Sequence, residues 1–345
     1  MKDDLLKIFN NLENPTPIPN LDRHSRVMLI DGMNLFLRNF AIINYTNETG
    51  SHIGGISGFI RSLGYLIRNN NPTSVYVVFD GIGSSVNRRN LVPEYKSNRS
   101  NSRITNWDVF DNLEEENESK YDQMARLVHY LRCLPIKVVS MDRTEADDII
   151  AYLATTLSET KNSKVTIVSS DQDFLQLVNK NITVFRPMEK KYYTPAMVTE
   201  KFGVLPENFI LYKTLAGDSS DVVKGIKGMG KKRIIKLFPD IVKHKMDLED
   251  LFEISEVNLK KNKAYPQILF EQSNLEKYFK IMDLSNPLID ENDEENLDGL
   301  IEARTFNYKP KEFLNLYKED GMGNAIRNVQ TWLSECFGTL TSFNK

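Results

Sequence analysis

Five short apolar runs punctuate the first half of the chain. Val27-Met28-Leu29-Ile30 stops at Asp31-Gly32, and Val75-Tyr76-Val77-Val78-Phe79 stops at Asp80-Gly81. Ile136-Lys137-Val138-Val139 is the third, Val165-Thr166-Ile167-Val168 leads into Ser169-Ser170-Asp171, and Ile182-Thr183-Val184-Phe185 is the fifth. Near-continuous β-branched runs of this length suit strands buried on both faces. Most are separated by stretches with helical spacing, at 54–69, 120–133, 145–159 and 172–179. Strands alternating with helices predict an α/β fold around a mostly parallel sheet. In such sheets sites form beyond the carboxyl ends of the strands, and three of the five runs end in an aspartate there.

The remaining polarity divides the chain. Residues 1–25 carry Pro15, Pro17 and Pro19 behind a short apolar-acidic segment and read as an extended arm. Residues 26–200 form the sheet-based core, interrupted at about 82–120 by a long polar insertion. That insertion is basic first (Arg88, Arg89, Lys96, Arg99, Arg103) and then acidic from Asp108 to Glu118. Its acidic half is expected to be mobile, or a gate. Residues 201–245 read as helices broken by Gly225, Gly228 and Gly230, and 246–345 as a mostly helical region.

Composition narrows the chemistry. The 345 residues are 41% hydrophobic and 26% charged, with a net charge of −3, so a uniform basic coat is excluded and only local basic patches remain. The four histidines are scattered and the two cysteines, Cys133 and Cys336, are remote, so no zinc spacing exists. No run has the roughly 20 apolar residues that span a membrane. The acidic start lacks the apolar core of a signal peptide. With reduced thiols this implies a cytoplasmic protein without membrane partners. A bound metal would have carboxylate ligands and be a hard cation, Mg²⁺ or Mn²⁺.

The acids supply such ligands. Asp31 and Asp80 stand at strand ends, and Glu145-Ala146-Asp147-Asp148 opens a helix. Asp171-Gln172-Asp173 follows the fourth strand, and Asp218 and Asp221 sit in Gly217-Asp218-Ser219-Ser220-Asp221. Crowded carboxylates repel and take up protons unless cations neutralise them. Two cations could clamp the attacking and leaving oxygens of a phosphodiester. Beside them, Lys224-Gly225-Ile226-Lys227-Gly228-Met229-Gly230-Lys231-Lys232 reads as a helix-hairpin-helix turn that clamps a nucleic-acid backbone through glycine-allowed close approach, with Lys231 and Lys232 adding charge. In the insertion, Tyr95 could stack on a base while Lys96 or Arg99 reaches the scissile phosphate, with Arg88, Arg89 and Arg103 holding the strand.

In this order and spacing the motifs resemble the flap endonuclease / 5′–3′ exonuclease family, which is PIN-like, over about residues 26–240. Pro93-Glu94-Tyr95-Lys96 with Arg99 is similar to the helical arch of its bacterial and phage members, and the glycine pattern to its helix-hairpin-helix (H3TH) element. Ser169–Phe174, Arg186–Lys191 and Ile281-Met282-Asp283-Leu284 are similar to the T-even bacteriophage ribonuclease H branch. The resemblance implies a metal-dependent 5′ nuclease acting on DNA and RNA–DNA hybrids with 5′ ends or flaps, with a role in removing lagging-strand primers. It implies that Asp31, Asp80, Glu145 and Asp147 hold one Mg²⁺ and that Asp148, Asp171, Asp173 and Asp221 hold or orient a second. Mn²⁺ is able to substitute, and K⁺ is a further candidate at the glycine turn. Asp31 and Asp171 are the acids expected to matter most to catalysis, with Lys96 and Arg99. Asp218 is counted with Asp221, as a support for it or as the cap of the helix that presents it. One departure stands out: where the family has Asn-Ile-Pro after its last aspartate, this chain has Val222-Val223-Lys224. The alternatives are a branched-DNA-binding protein of little activity and a PIN-like single-strand ribonuclease. A monomer is expected, with a sliding clamp docking on the N-terminal arm and a single-strand-binding protein on the C-terminal region.

Overall fold

The computed structural model describes residues 22–98, 103–304 and 308–343. In chain order the elements are β1 (Arg26–Asp31), α1 (Gly32–Ile42), α2 (Gly54–Asn70), β2 (Ser74–Val78), α3 (Val86–Leu91), α4 (Leu113–Leu131), β3 (Lys137–Val139), α5 (Ala146–Thr160), β4 (Lys164–Val168), a 3₁₀ turn (Asp173–Leu177), β5 (Ile182–Arg186) and β6 (Lys191–Tyr193). There follow α6 (Pro195–Phe202), α7 (Phe209–Ala216), α8 (Lys231–Leu237), α9 (Leu248–Val257), α10 (Ala264–Phe270), α11 (Gln272–Met282), α12 (Glu291–Glu302), α13 (Pro310–Glu319) and α14 (Val329–Phe343).

All five predicted strands form, in one sheet of order β3-β2-β1-β4-β5-β6. The first five are parallel, and β6 closes the edge antiparallel to β5. The sequence pattern missed β6 because its three residues, Lys191-Tyr192-Tyr193, carry no apolar run and only Tyr193 is buried. The chain leaves β1 toward β2 and β3, then returns to place β4 on the other side of β1. The strand order therefore reverses between β1 and β4, and the ends of these two strands form the switch point where α/β sheets bind ligands.

Each face of the sheet packs its own core. One holds α5 with α7–α12, through Ile149, Leu153, Phe209, Ile234, Leu251 and Leu297. The other holds α1, α2, α4, α13 and α14, through Phe36, Phe59, Tyr130, Phe313 and Phe337. The C-terminal region thus covers both faces.

One expectation changes. The stretch at 172–179 is a 3₁₀ turn over Asp173–Leu177. Within the acidic half of the insertion, Glu114 to Glu118 form the first turns of α4, and Asp108 and Asp111 precede it. Asn112 caps that helix, accepting the Glu115 amide at 2.9 Å, and Glu114, Glu115 and Glu116 sit where the helix dipole favours anions. Glu116 is fully buried and accepts the amides of Thr105 and Asn106 at 2.8 Å and the Lys120 ammonium at 2.7 Å.

Candidate active site and metal centre

The switch point is stitched by the residues that line it. Asp31 ends β1 and caps α1, its Oδ1 accepting the Asn34 amide at 2.9 Å. Its Oδ2 accepts the Ser169 hydroxyl at 2.9 Å, and the Ser170 amide donates to the Asn34 side chain at 3.1 Å. Asp80, just beyond β2, accepts the Ala146 amide at 2.9 Å and so fixes the start of α5, which brings Glu145 and Asp147 to the same edge. Asp171 follows β4 and accepts the Asp173 amide at 2.9 Å. Beyond α7 a tight turn, closed by two 2.8 Å backbone bonds between Asp218 and Val223, presents Asp218 and Asp221. Asp173, Asp218 and Asp221 each offer a carboxylate oxygen within 4.8 Å of the others.

The electrostatics fit a cation. Burial, with repulsion from Asp171 and Asp80, pushes Asp31 up to about 7 despite its two hydrogen bonds. Burial and then Asp171 push Asp173 up to about 7 against the pull of Lys213. Asp147 is raised as well, by burial, Asp171 and Asp31. Such a set of oxygen donors holds protons until a divalent cation replaces them, and it selects a hard one.

Lys213, which the sequence reading missed, is buried on α7 and pairs with both Asp173 and Asp218. Burial alone would raise Asp218, but Lys213 and then Ser220 bring it down to about 2. The available signal was a cation on an otherwise apolar helix, five residues before Asp218.

Lys96 does reach the acids. Its ammonium lies 2.8 Å from Glu145 and 4.8 Å from the centre of the Tyr95 ring, and its backbone has φ 54°, a conformation that costs a non-glycine residue energy and recurs at functional sites. Burial would raise Glu145, yet Arg88 and Lys96 hold it below the usual carboxylate range. Three assignments need correcting. Tyr95 is only 3% exposed and donates its hydroxyl to Glu145 at 3.1 Å, so it presents no face to a base. Arg88 is 3% exposed and Asp148 1%. They pair with each other inside the protein, which removes Arg88 from the strand-binding surface and Asp148 from the open edge. Arg89 and Arg103 are exposed, and Arg99 lies outside the described residues.

The glycine turn runs between α7 and α8. Gly225 has φ +55°, and a β-carbon there would lie 2.4 Å from the Gly217 nitrogen, so no other residue fits. Gly228 also has positive φ, whereas Gly230 has φ −90° and precedes α8 with open space beside it. Lys232 is exposed, while Lys231 donates to the Lys201 carbonyl at 2.6 Å and ties the turn to α6.

Val222 has φ +63°, a strained conformation for a β-branched residue. Asparagine tolerates it, so Val222→Asn is expected to stabilise the metal-free protein by about 1 kcal/mol. Thermal unfolding in EDTA checks this; an unchanged or lower melting temperature counts against strain at Val222.

Residues 26–203 match the family model of the 5′-3′ exonuclease, N-terminal resolvase-like domain. A 5′-3′ exonuclease of Aquifex aeolicus is 32% identical over 270 residues, covering 78% of this chain and 85% of the relative. The chain belongs to the 5′–3′ exonuclease family. It is a nuclease of that family, with an acid cluster able to hold a divalent metal. DNA polymerase I of Bacillus subtilis is 31% identical over 245 residues, but the match is 26% of that longer protein, against 70% of this chain. Among solved structures, the bacteriophage T5 D15 flap endonuclease in complex with DNA and metal ions shares the fold, with a TM-score of 0.61 and 19% identity over 87% of this chain and 100% of that one. Human GEN1 with Holliday junction DNA does so with a TM-score of 0.58 and 14% identity, over 94% of this chain and 74% of that one. Among the described residues, no helix is long and apolar enough to cross a membrane.

Proposed function

We propose that this nuclease is a structure-selective 5′ nuclease that hydrolyses phosphodiesters in DNA and in RNA–DNA hybrids bearing 5′ ends or flaps. The carrying observation is the acid-lined switch point, with Lys96 and the glycine turn next to one another beside it, the Lys96 amide donating to the Asp221 carbonyl at 3.4 Å. Asp31, Asp80, Glu145, Asp147, Asp171, Asp173 and Asp221 would hold two Mg²⁺ ions, with Mn²⁺ as a substitute and Asp218 supporting Asp221. The ions, when bound, supply charge stabilisation for the phosphorane-like transition state and an activated water. The chain's own contribution is placement. Ser169 and Asn34 lock Asp31, and Asp80 locks the start of α5. Lys96, drawn from Glu145 toward the scissile phosphate, would offset its developing charge, and Arg99 is a second candidate cation for that role. Arg89, Arg103 and Lys232 would hold the strand outside, and the backbone at Gly225, Gly228 and Gly230 would grip a phosphate, with K⁺ at that turn.

The finer reading places the chain near the T-even ribonuclease H branch, removing lagging-strand primers in the cytoplasm of a phage-infected host. It works there as a monomer organised as arm, core, helix-hairpin-helix and C-terminal region, with a sliding clamp on the arm and a single-strand-binding protein on the C-terminal region. The Aquifex likeness supports the nuclease chemistry, and residues 1–21 of the arm lie outside the described residues.

The test uses a 5′-labelled DNA flap and a 5′-labelled RNA–DNA hybrid. Cleavage of both is expected in Mg²⁺ and none in EDTA, with Asp171→Asn at least about a thousandfold slower, a barrier increase of roughly 4 kcal/mol. Cleavage that persists in EDTA or at the wild-type rate in Asp171→Asn overturns the reading.

A further inference from the structure

We infer that Asp148 is a positioning residue: with Arg88 it forms a buried latch that fastens the segment 281–288 across the back of the acid cluster. The activity arm of the inference rests on the nuclease reading above; its structural arm does not.

Arg88 stands on α3, at the base of the insertion, and each of its three guanidinium nitrogens donates a hydrogen bond inside the protein. Nη1 and Nη2 fork onto the two oxygens of Asp148, the latter at 3.0 Å. Nε donates to the Ile281 carbonyl near the end of α11 at 2.7 Å, and Nη1 lies 3.3 Å from Glu145. Asp148 Oδ1 accepts a second bond, from the Leu288 amide at 2.9 Å. Its carboxylate is therefore engaged by protein donors on both oxygens, with three of its roughly four lone-pair directions taken.

The same segment clasps the other acid-bearing element. Gln176, buried on the 3₁₀ turn that begins at Asp173, donates to the Met282 carbonyl at 3.0 Å and accepts the Leu284 amide at 3.0 Å. Residues 281–288 thus tie α5, which carries Glu145 and Asp147, to the turn that carries Asp173. A buried ion pair with one partner removed leaves an uncompensated charge, whereas removing both is often tolerated. Without Asp148 the Arg88 guanidinium keeps Glu145 as its ion-pair partner among the described residues, and it would then compete with a cation for that carboxylate.

The test is a double-mutant cycle of Asp148→Leu, Arg88→Met and the two combined. It is read as the Mg²⁺ concentration giving half-maximal cleavage and as melting in EDTA. Each single variant is expected to raise the Mg²⁺ requirement about tenfold and to lower the metal-free melting temperature, and the double variant to return both toward wild type, to within about threefold for Mg²⁺. Asp148→Asn, which keeps an acceptor for Leu288, should shift the Mg²⁺ requirement less than Asp148→Leu and guards against a variant that does not fold. If melting recovers in the double variant while cleavage stays as low as in Asp148→Leu, Asp148 is itself a ligand and the inference falls. Effects that multiply also overturn it, since the pair then does not act as a unit. Should the wild-type protein cleave neither substrate, the nuclease reading fails, and the melting cycle still decides the latch.

Discussion

Asp31→Asn lowers the cleavage rate by about a thousandfold or more, roughly 4 kcal/mol of barrier, and in the same protein raises the melting temperature measured in EDTA at pH 8. The two effects share a cause. Asp31 is 7% exposed and faces Asp171 and Asp80, so its charge is tolerated only when a cation is close. Asparagine keeps the geometry: its oxygen can accept the Asn34 amide, and its amide can donate to the Ser169 hydroxyl, which turns to accept. What is lost is the negative charge, which the metal needs and the metal-free fold does not. The expected gain in EDTA is on the order of 1–3 kcal/mol, because each unit of raised pKa corresponds to about 1.4 kcal/mol. In saturating Mg²⁺ the order reverses, with wild type the more stable. Single-turnover cleavage and calorimetry with and without Mg²⁺ check both halves. A variant that cleaves within tenfold of wild type, or melts lower in EDTA, would falsify this account of Asp31.

The second large effect is on pH. Asp31 and Asp173 have folded-state values of about 7, above the value of 3.8 expected in the unfolded chain. Between those values the unfolded chain has released protons that the folded protein still holds, so stability falls as pH rises. The contribution is fully present below about pH 4 and lost through pH 7, on the order of several kcal/mol for the two groups together. Asp218, Glu116 and Glu189, each brought down to about 2, act with the opposite sign. Their contribution is complete above pH 4 and is lost only as the pH falls toward 2. The metal-free protein is therefore expected to be most stable near pH 4–5 and to lose melting temperature steadily up to pH 8. Mg²⁺ must displace the same protons. Its apparent affinity is expected to rise about tenfold per pH unit for each proton displaced, levelling above pH 7. Titrations of Mg²⁺ followed by thermal shift at pH 6, 7 and 8 measure this slope; an affinity independent of pH would show that the acids are already ionised before the metal arrives.

The difference between what was legible in the chain and what was not follows the range of the interactions. The five strands were readable because a strand covered on both faces must be apolar at every position, and that is a local property. β6 was not, since its three residues are held by pairing with β5 and by little of their own. The acids at the strand ends were readable because runs such as Val27–Ile30 and Val165–Val168 stop abruptly at polar groups. The pairing of Lys213 with Asp173 and the clasp of Gln176 on Met282 and Leu284 were not, because each depends on a partner far along the chain.

By itself, then, the sequence determined the alternation of strands and helices, the acids at the strand ends and the glycine turn, all of which follow from the periodicity and backbone freedom of neighbouring residues. Only the tertiary structure decided which charged groups face the site and which are spent inside. Asp147 and Asp148 are neighbours on one helix, and no local pattern separates them. The fold turns Asp147 toward Asp31 and Asp171 and buries Asp148 against Arg88, because helical geometry points adjacent side chains about 100° apart and a buried charge must find a partner.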